Sequence, residues 1–476
     1  MVSIQSTLTG DLKNSIFDGI FANMFATLTG GLFLTGLALY LGMNEFMIGL
    51  LSAMPFLTTL FQLPTSYYLG IKNRRKAFTT YGALAARLIW LPVLVIAVIP
   101  GLSVFSKSIV VLLLIFISQS FMSISFVSWL SWISDIVPDR IRGRFFGTRN
   151  MLCGAAGMAV MIIFGNLLDF LKSREMPAWG FSLVFILAVV FGLQSVYFLK
   201  KISDPFRPTA PDMPVPFRTG IFLPFKDTNF RKFLVFACAW SFSVYFASPF
   251  FTLYFLRELQ FSYAFVAFLG SMAALSDLLG MHFWGRISDK VKNKAVIQVA
   301  SWVVVFLPLA WAMVRPESRF IPILLHIVGG GFWAGINLCM NNLLFTIAPR
   351  ENKPFYLAAY NIIGGLGAAA GPIMAGLVLG HLDGLSFEIA RFQFVPLQLV
   401  FLTSTILRVL SSRLLLRKII EPEAVEPVQL IRVVRNIRAL NIASGFNHLL
   451  HPFVETFKEI QSDDADRVTL FFDRRR

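Results

Sequence analysis

The amino-acid sequence predicts an all-α membrane protein with twelve transmembrane helices in two pseudo-symmetric six-helix halves. Three observations predict it. The 476 residues are 56% hydrophobic and only 14% charged, with a mean hydropathy of +0.69, too apolar for a water-soluble domain. The apolar residues gather in twelve runs, each near the roughly 20 residues that a helix needs to cross the hydrocarbon. The third observation is a repeat. A short basic turn and helix start running from Pro138 to Asn150 recurs, weakened, from Pro349 to Asn361, and in both an Asn follows the Pro by twelve positions. A displacement of 218 also carries Met47–Met54 onto Phe265–Met272 and Arg75-Lys76-Ala77 onto Asn293-Lys294-Ala295, so the second run corresponds to the eighth.

The runs, spans 1 to 12, lie near 15–41, 45–70, 78–100, 108–134, 146–170, 178–199, 232–256, 261–285, 295–314, 320–347, 355–380 and 391–416. Between spans 6 and 7, Asp204 to Asn229 holds Pro205, Pro208, Pro211, Pro214, Pro216 and Pro224 and reads as a linker that does not continue a helix. The chain thus divides into an N-terminal bundle over 1–200, a cytoplasmic linker over 201–231, a C-terminal bundle over 232–416 and a cytoplasmic tail over 417–476. In the tail, Val428 to Leu440 sets Leu430, Ile431, Val434, Ile437 and Leu440 on one side and Arg432, Arg435 and Arg438 on another. Such an amphipathic helix suits an anionic membrane surface or the ends of the bundle equally well.

Orientation follows from the bases. Loops after even-numbered spans carry Lys72, Arg74, Arg75 and Lys76; Arg140, Arg142 and Arg144; Lys200, Lys201 and Arg207; Arg286, Lys290, Lys292 and Lys294; and Arg350 and Lys353. Loops after odd-numbered spans are sparse, and the positive-inside bias puts both termini in the cytoplasm. The net charge of +16 is therefore a topology signal, and nucleic acid is not an expected partner. Cys153, Cys238 and Cys339 sit inside apolar runs without ligand spacing, which implies neither a disulfide nor a metal. The N-terminus lacks the features of a signal peptide, so span 1 is expected to be retained. No phosphate-binding glycine loop or catalytic Ser/His/Asp arrangement stands out, so neither an enzyme nor a cofactor is expected.

Polar residues recur at helical spacing on particular spans. Span 7 offers Ser241, Tyr245, Ser248 and Thr252, and span 10 offers His326, Trp333, Asn337 and Asn341. Span 4 adds Gln119 and Ser123, and span 1 adds Asn23 and Thr27. Polar groups in hydrocarbon are costly without partners, so these are expected to face the bundle interior or a water-filled cavity. A single Ser or Thr is equally satisfied by its own helix carbonyl. Ionisable groups within spans cost about 2.5–3.5 kcal/mol each at a helix centre, and Asp18, Arg87, Asp277, His282 and His326 qualify. Asp18 and Asp277 are candidate proton carriers. The plainer alternatives are a first-turn charge for Asp18, a partner for a base for Asp277 and a structural ion pair for Arg87. Span 11, with Gly364, Gly365, Gly367, Gly371, Pro372 and Gly376, reads as a closely packed, flexing helix.

Between spans 8 and 9, Gly285 is followed four residues on by Asp289 and then by Lys290, Lys292 and Lys294. This resembles the signature loop of the major facilitator superfamily, with Lys292 where the family has Gly. The first-half loop, Leu69 to Lys76, keeps the bases but lacks the Asp. The resemblance covers about 15–416. It implies the superfamily fold, a central cavity lined mainly by spans 1, 4, 7 and 10, and alternating-access transport of a small organic solute, coupled to protons or another ion. A carboxylate at a helix end can pair with an Arg across the helix seam; Asp289 with Arg350, and Asp135 with Arg144 or Arg149, are the candidate cytoplasmic gate pairs. The expected partners are a small-molecule substrate and membrane lipids, with the chain acting as a monomer in a bacterial cytoplasmic membrane. Two other readings use the same fold: a lipid or amphiphile flippase, and a membrane assembly protein that does not transport.

Overall fold

The structure, a computed structural model, describes residues 2–72, 74–99, 101–204, 217–349, 351–382, 387–389 and 392–421. All belong to one compact unit, Met1–Val425. The expected tail helix at Val428 to Leu440, the gate residue Arg350 and the linker prolines from Pro205 to Pro216 lie outside the described residues.

Among the described residues twelve helices are long and apolar enough to cross a membrane: Thr9–Tyr40, Glu45–Leu69, Arg75–Ala97, Val104–Ile136, Arg142–Ser173, Pro177–Lys201, Thr228–Arg257, Tyr263–Val291, Asn293–Ala312, Phe320–Ile347, Lys353–His381 and Pro396–Lys418. These are spans 1 to 12 in order.

Several spans are broken, three of them beside a proline that removes a helix hydrogen bond. Span 2 tightens into a 3-10 turn, Thr58–Phe61, just after Pro55. Span 3 is interrupted at Ile89, before Pro92, and span 9 after Val304, before Pro308. Span 1 breaks at Gly30, between Val2–Leu28 and Gly31–Tyr40. Span 12 widens into a π-helical turn at Ser411–Leu415. The expected linker differs from the reading above. It contains a ten-residue helix, Phe217–Lys226, and span 7 starts at Thr228 because the Asp227 carboxylate accepts from the backbone N–H groups of Asn229 and Phe230 (both 2.9 Å). A short antiparallel hairpin, Phe387–Ile389 with Phe392–Phe394, precedes span 12.

Span 1 packs on spans 5 and 6, and span 3 on span 4; in the second half span 7 packs on span 11, and span 10 on spans 8 and 9. Across the halves span 2 meets span 11 and span 5 meets span 8. These two seams map onto each other under the internal repeat, as two equivalent halves around a common axis require. Ring stacks fill the core of each half: Trp90 on Phe185 (5.0 Å) in the first and Phe251 on Phe401 (4.5 Å) in the second. Small residues bring the seams close. A Cβ on Gly49 of span 2 would collide with the Pro372 carbonyl of span 11.

Candidate functional site

The two ends of the bundle are held differently. At the end away from the basic loops, charged groups bridge the halves. Asp169, near the end of span 5, accepts from the backbone N–H groups of Tyr263 (2.9 Å) and Ala264 (2.7 Å) at the start of span 8. A carboxylate of one half thus satisfies orphan donors in the first turn of a helix in the other. Beside this cap, Glu45 at the start of span 2 pairs with Arg257 at the end of span 7.

At the basic end three contacts run within a half. Asp135 pairs with Arg75 at the start of span 3, both side chains nearly buried. Asp11 accepts from the Ser203 backbone N–H (2.9 Å) and hydroxyl, tying span 1 to the end of span 6. In the second half Glu421 accepts from the Asn293 side chain (2.8 Å) and the Lys294 backbone N–H (2.6 Å), capping span 9. Of the other candidate gate residues, Arg144 and Asp289 are exposed.

Arg149 lies with Asp18, not with Asp135. Its Nη2 is 3.5 Å from Asp18 Oδ2, its Nε donates to the Ser15 carbonyl (3.0 Å), and its guanidinium lies over Trp129, 4.5 Å from the ring centre. Asp18 is 3% exposed; it also accepts from the Ser195 hydroxyl of span 6, which in turn accepts from Arg87 Nη2 (2.9 Å). Asp18 therefore sits in a filled ion network joining spans 1, 3, 5 and 6. Asp277, the other candidate proton carrier, lies mid-way along span 8 and is half-buried. It makes no hydrogen bond or ion pair with another described residue. Its neighbours Ser276 and Gly280 face span 10, where the Ser276 hydroxyl donates to the Ile327 carbonyl (2.6 Å), while Gly270 faces Met161 of span 5. At 100° per residue Asp277 falls between those two faces.

The candidate cavity residues divide. Asn23 donates to the Cys153 carbonyl of span 5 (2.7 Å), and Thr27 abuts Gly157 of the same span, so both lie at a helix crossing. Gln119 is half-buried, and the buried Ser123 hydroxyl has no hydrogen-bond partner. Ser241, Tyr245 and Thr252 are half-buried and Ser248 is exposed; Tyr245 meets Phe56 of span 2 edge-on at 4.5 Å. His326 bonds to the Pro322 carbonyl (3.1 Å) and packs on Trp311 and Phe255, inside the second half. Trp333 faces Trp240 and Arg408, whereas Asn337 and Asn341 are exposed, the Asn341 amide donating to the Asn337 carbonyl (3.1 Å).

A family model of the major facilitator superfamily matches residues 17–372 and 234–453. The chain belongs to the major facilitator superfamily. It is an integral membrane protein and a membrane transporter. Solved structures of the superfamily fold superpose over most of the chain. A nucleoside transporter, NupG, is 14% identical, with a TM-score of 0.63 over 86% of this chain and 98% of that one. A bacterial homologue of the human lysosomal transporter Spinster, inward-facing and unoccupied, is 15% identical, with a TM-score of 0.63 over 88% and 98%. A peptide-bound POT family transporter is 12% identical, with a TM-score of 0.60 over 84% and 94%. Among curated proteins none matches the chain in sequence.

Several of this chain's contacts carry no signal in the sequence pattern. Ser195 is one serine in an apolar run, and Asp169 looks like an ordinary helix-end charge. Arg408 lies inside span 12, 3% exposed, and donates to the Val304 (3.1 Å) and Val244 (3.4 Å) carbonyls. An Arg well inside an apolar run is the signal that would have singled it out. With Arg87, it gives each half one buried guanidinium tying its third span to its sixth.

Proposed function

We propose that the protein is a secondary active transporter that moves a small organic solute by alternating access, coupled to a proton or another ion at Asp277. The difference between the two ends carries the reading. The charged contacts between halves described above lie at one end, and those described at the other lie within a half, which suits a state closed on the first side and able to open on the second. The positive-inside bias supports the basic end as the cytoplasmic one, so this state would be inward-facing. A charged, unpaired carboxylate at mid-membrane depth is costly, and taking up a proton or cation removes the cost. That is the requirement for a coupling site, and among the two candidates it favours Asp277 over Asp18, whose charge is already balanced. Asn337 and Asn341 offer exposed amides for a polar solute, and a rearrangement of the Asp135 and Asp289 loops would open and close the basic end.

The test is uptake into proteoliposomes of a panel of sugars, amino acids, nucleosides, organic acids and amphiphiles under an imposed pH gradient. The parent accumulates one class of solute. Asp277→Asn still exchanges that solute across the membrane but no longer concentrates it, and Asn337→Ala with Asn341→Ala weakens its binding. Undiminished accumulation by Asp277→Asn would remove Asp277 from the mechanism. Movement of amphiphiles alone would move the reading to a flippase, and silence across the panel to an assembly protein.

A further inference from the structure

A groove of about 770 Å3 opens between spans 7, 11 and 12, apart from the central path: none of the candidate cavity residues borders it. Its walls include Leu234, Cys238, Phe242, Leu366, Leu407 and Leu414. Leu366 and Leu414 are exposed at 45% and 57%, so the groove faces outward, to where acyl chains lie. Span 12 forms this wall with its π-helical turn, in which Ser411, Leu414 and Leu415 border the opening. A π turn widens the helix locally and often accompanies a functional site.

The basic end of the groove is formed by Phe225 and Arg231. Arg231 is exposed and pairs with no described carboxylate. Asp227, four residues earlier, caps span 7 through its Oδ1 and makes no ion pair with Arg231. The helix Phe217–Lys226, which carries Phe225, also exposes Ile221 and Phe222 and ends in the exposed Lys226. Exposed apolar side chains followed by a base are the pattern of a helix lying at head-group level. An apolar slot thus runs into the hydrocarbon beneath a surface cation that no described carboxylate pairs with.

We propose that this groove holds one anionic phospholipid from the leaflet at the basic end, with an acyl chain along the apolar walls and the phosphate at Arg231. A lone exposed arginine holds free phosphate weakly in water, so the groove supplies the anchorage and the charge supplies the choice of head group. A net-neutral phosphatidylcholine carries its own ammonium beside the phosphate and gains less from Arg231.

The test uses the full chain, stripped of lipid in detergent and incubated with dioleoyl phosphatidylglycerol or dioleoyl phosphatidylcholine, with retained lipid measured by native mass spectrometry. The parent retains one phosphatidylglycerol per chain with a preference of roughly fivefold over phosphatidylcholine, the weight of one base near the surface. Arg231→Gln keeps a lipid but loses the preference, and Ala370→Phe, which fills the groove, loses both lipids. Cys238 gives a second readout on the unaltered chain. Phosphatidylglycerol slows its alkylation by N-ethylmaleimide and inorganic phosphate does not, while Cys153 and Cys339 are buried. Equal retention of the two lipids by the parent, a preference that survives in Arg231→Gln, or protection of Cys238 by inorganic phosphate alone would each overturn the proposal.

Discussion

Removing Asp18 leaves two guanidiniums, the nearly buried Arg149 and the buried Arg87, without the carboxylate between them. Breaking a buried pair in this way costs about 3–5 kcal/mol. Asp18→Asn is therefore expected to lower the thermal midpoint of the purified protein sharply, and Arg149→Met in the same background to recover part of the loss. If the double variant is no more stable than the single one, the Asp18–Arg149 contact contributes little. The sequence shows that Asp18 and Arg87 are ionisable groups inside apolar runs. It does not show that Ser195 stands between them, because a serine 177 positions away in the chain has no feature that marks the contact. The same limit applies to Asp135. A pair with a base is legible in the sequence, but not that Arg75, one of four bases after span 2, pairs with it, because only packing selects among them.

The helices themselves are the most legible level, because a run of about 20 apolar residues has few other solutions. Their seams are less so. Gly367 of span 11 sits so close to span 7 that a Cβ would strike the Cys238 carbonyl, whereas a Cβ on Gly380 meets nothing within 4 Å. Gly367→Val is expected to destabilise by at least the ~1–3 kcal/mol typical of overpacking, and Gly380→Ala to leave the thermal midpoint unchanged. The glycine-rich pattern of span 11 announces close packing but does not say which helix each glycine meets. The helix Phe217–Lys226 was hidden for a different reason. Its neighbouring prolines read as one linker, although Pro224 lies only in the last turn of the helix. Asp227→Ala removes the cap of span 7 and is expected to cost about 1 kcal/mol in thermal unfolding.

At the scale of the whole molecule, the cap from Asp169 and the pair between Glu45 and Arg257 hold the same end, but not with equal weight. Arg257 is 42% exposed, and such pairs contribute about 0–1 kcal/mol, whereas hydrogen bonds to a carboxylate contribute about 1.5–3 kcal/mol. Asp169→Ala is therefore expected to raise the population open at that end by roughly tenfold and Glu45→Ala to change it much less. Spin labels on the loops after spans 1 and 7 would read this as growth of a longer distance, and equal effects of the two variants would refute the ranking. By itself the sequence determined the twelve spans, the two related halves and the superfamily, since these follow from hydrophobic length, repetition and a local motif. Only the tertiary structure decided that Asp18 is balanced and that Asp277 meets no charged partner among the described residues, and that charged contacts cross between the halves at one end. Those depend on which side chains meet across helices far apart in the chain, and the period of a single helix carries no record of its neighbours.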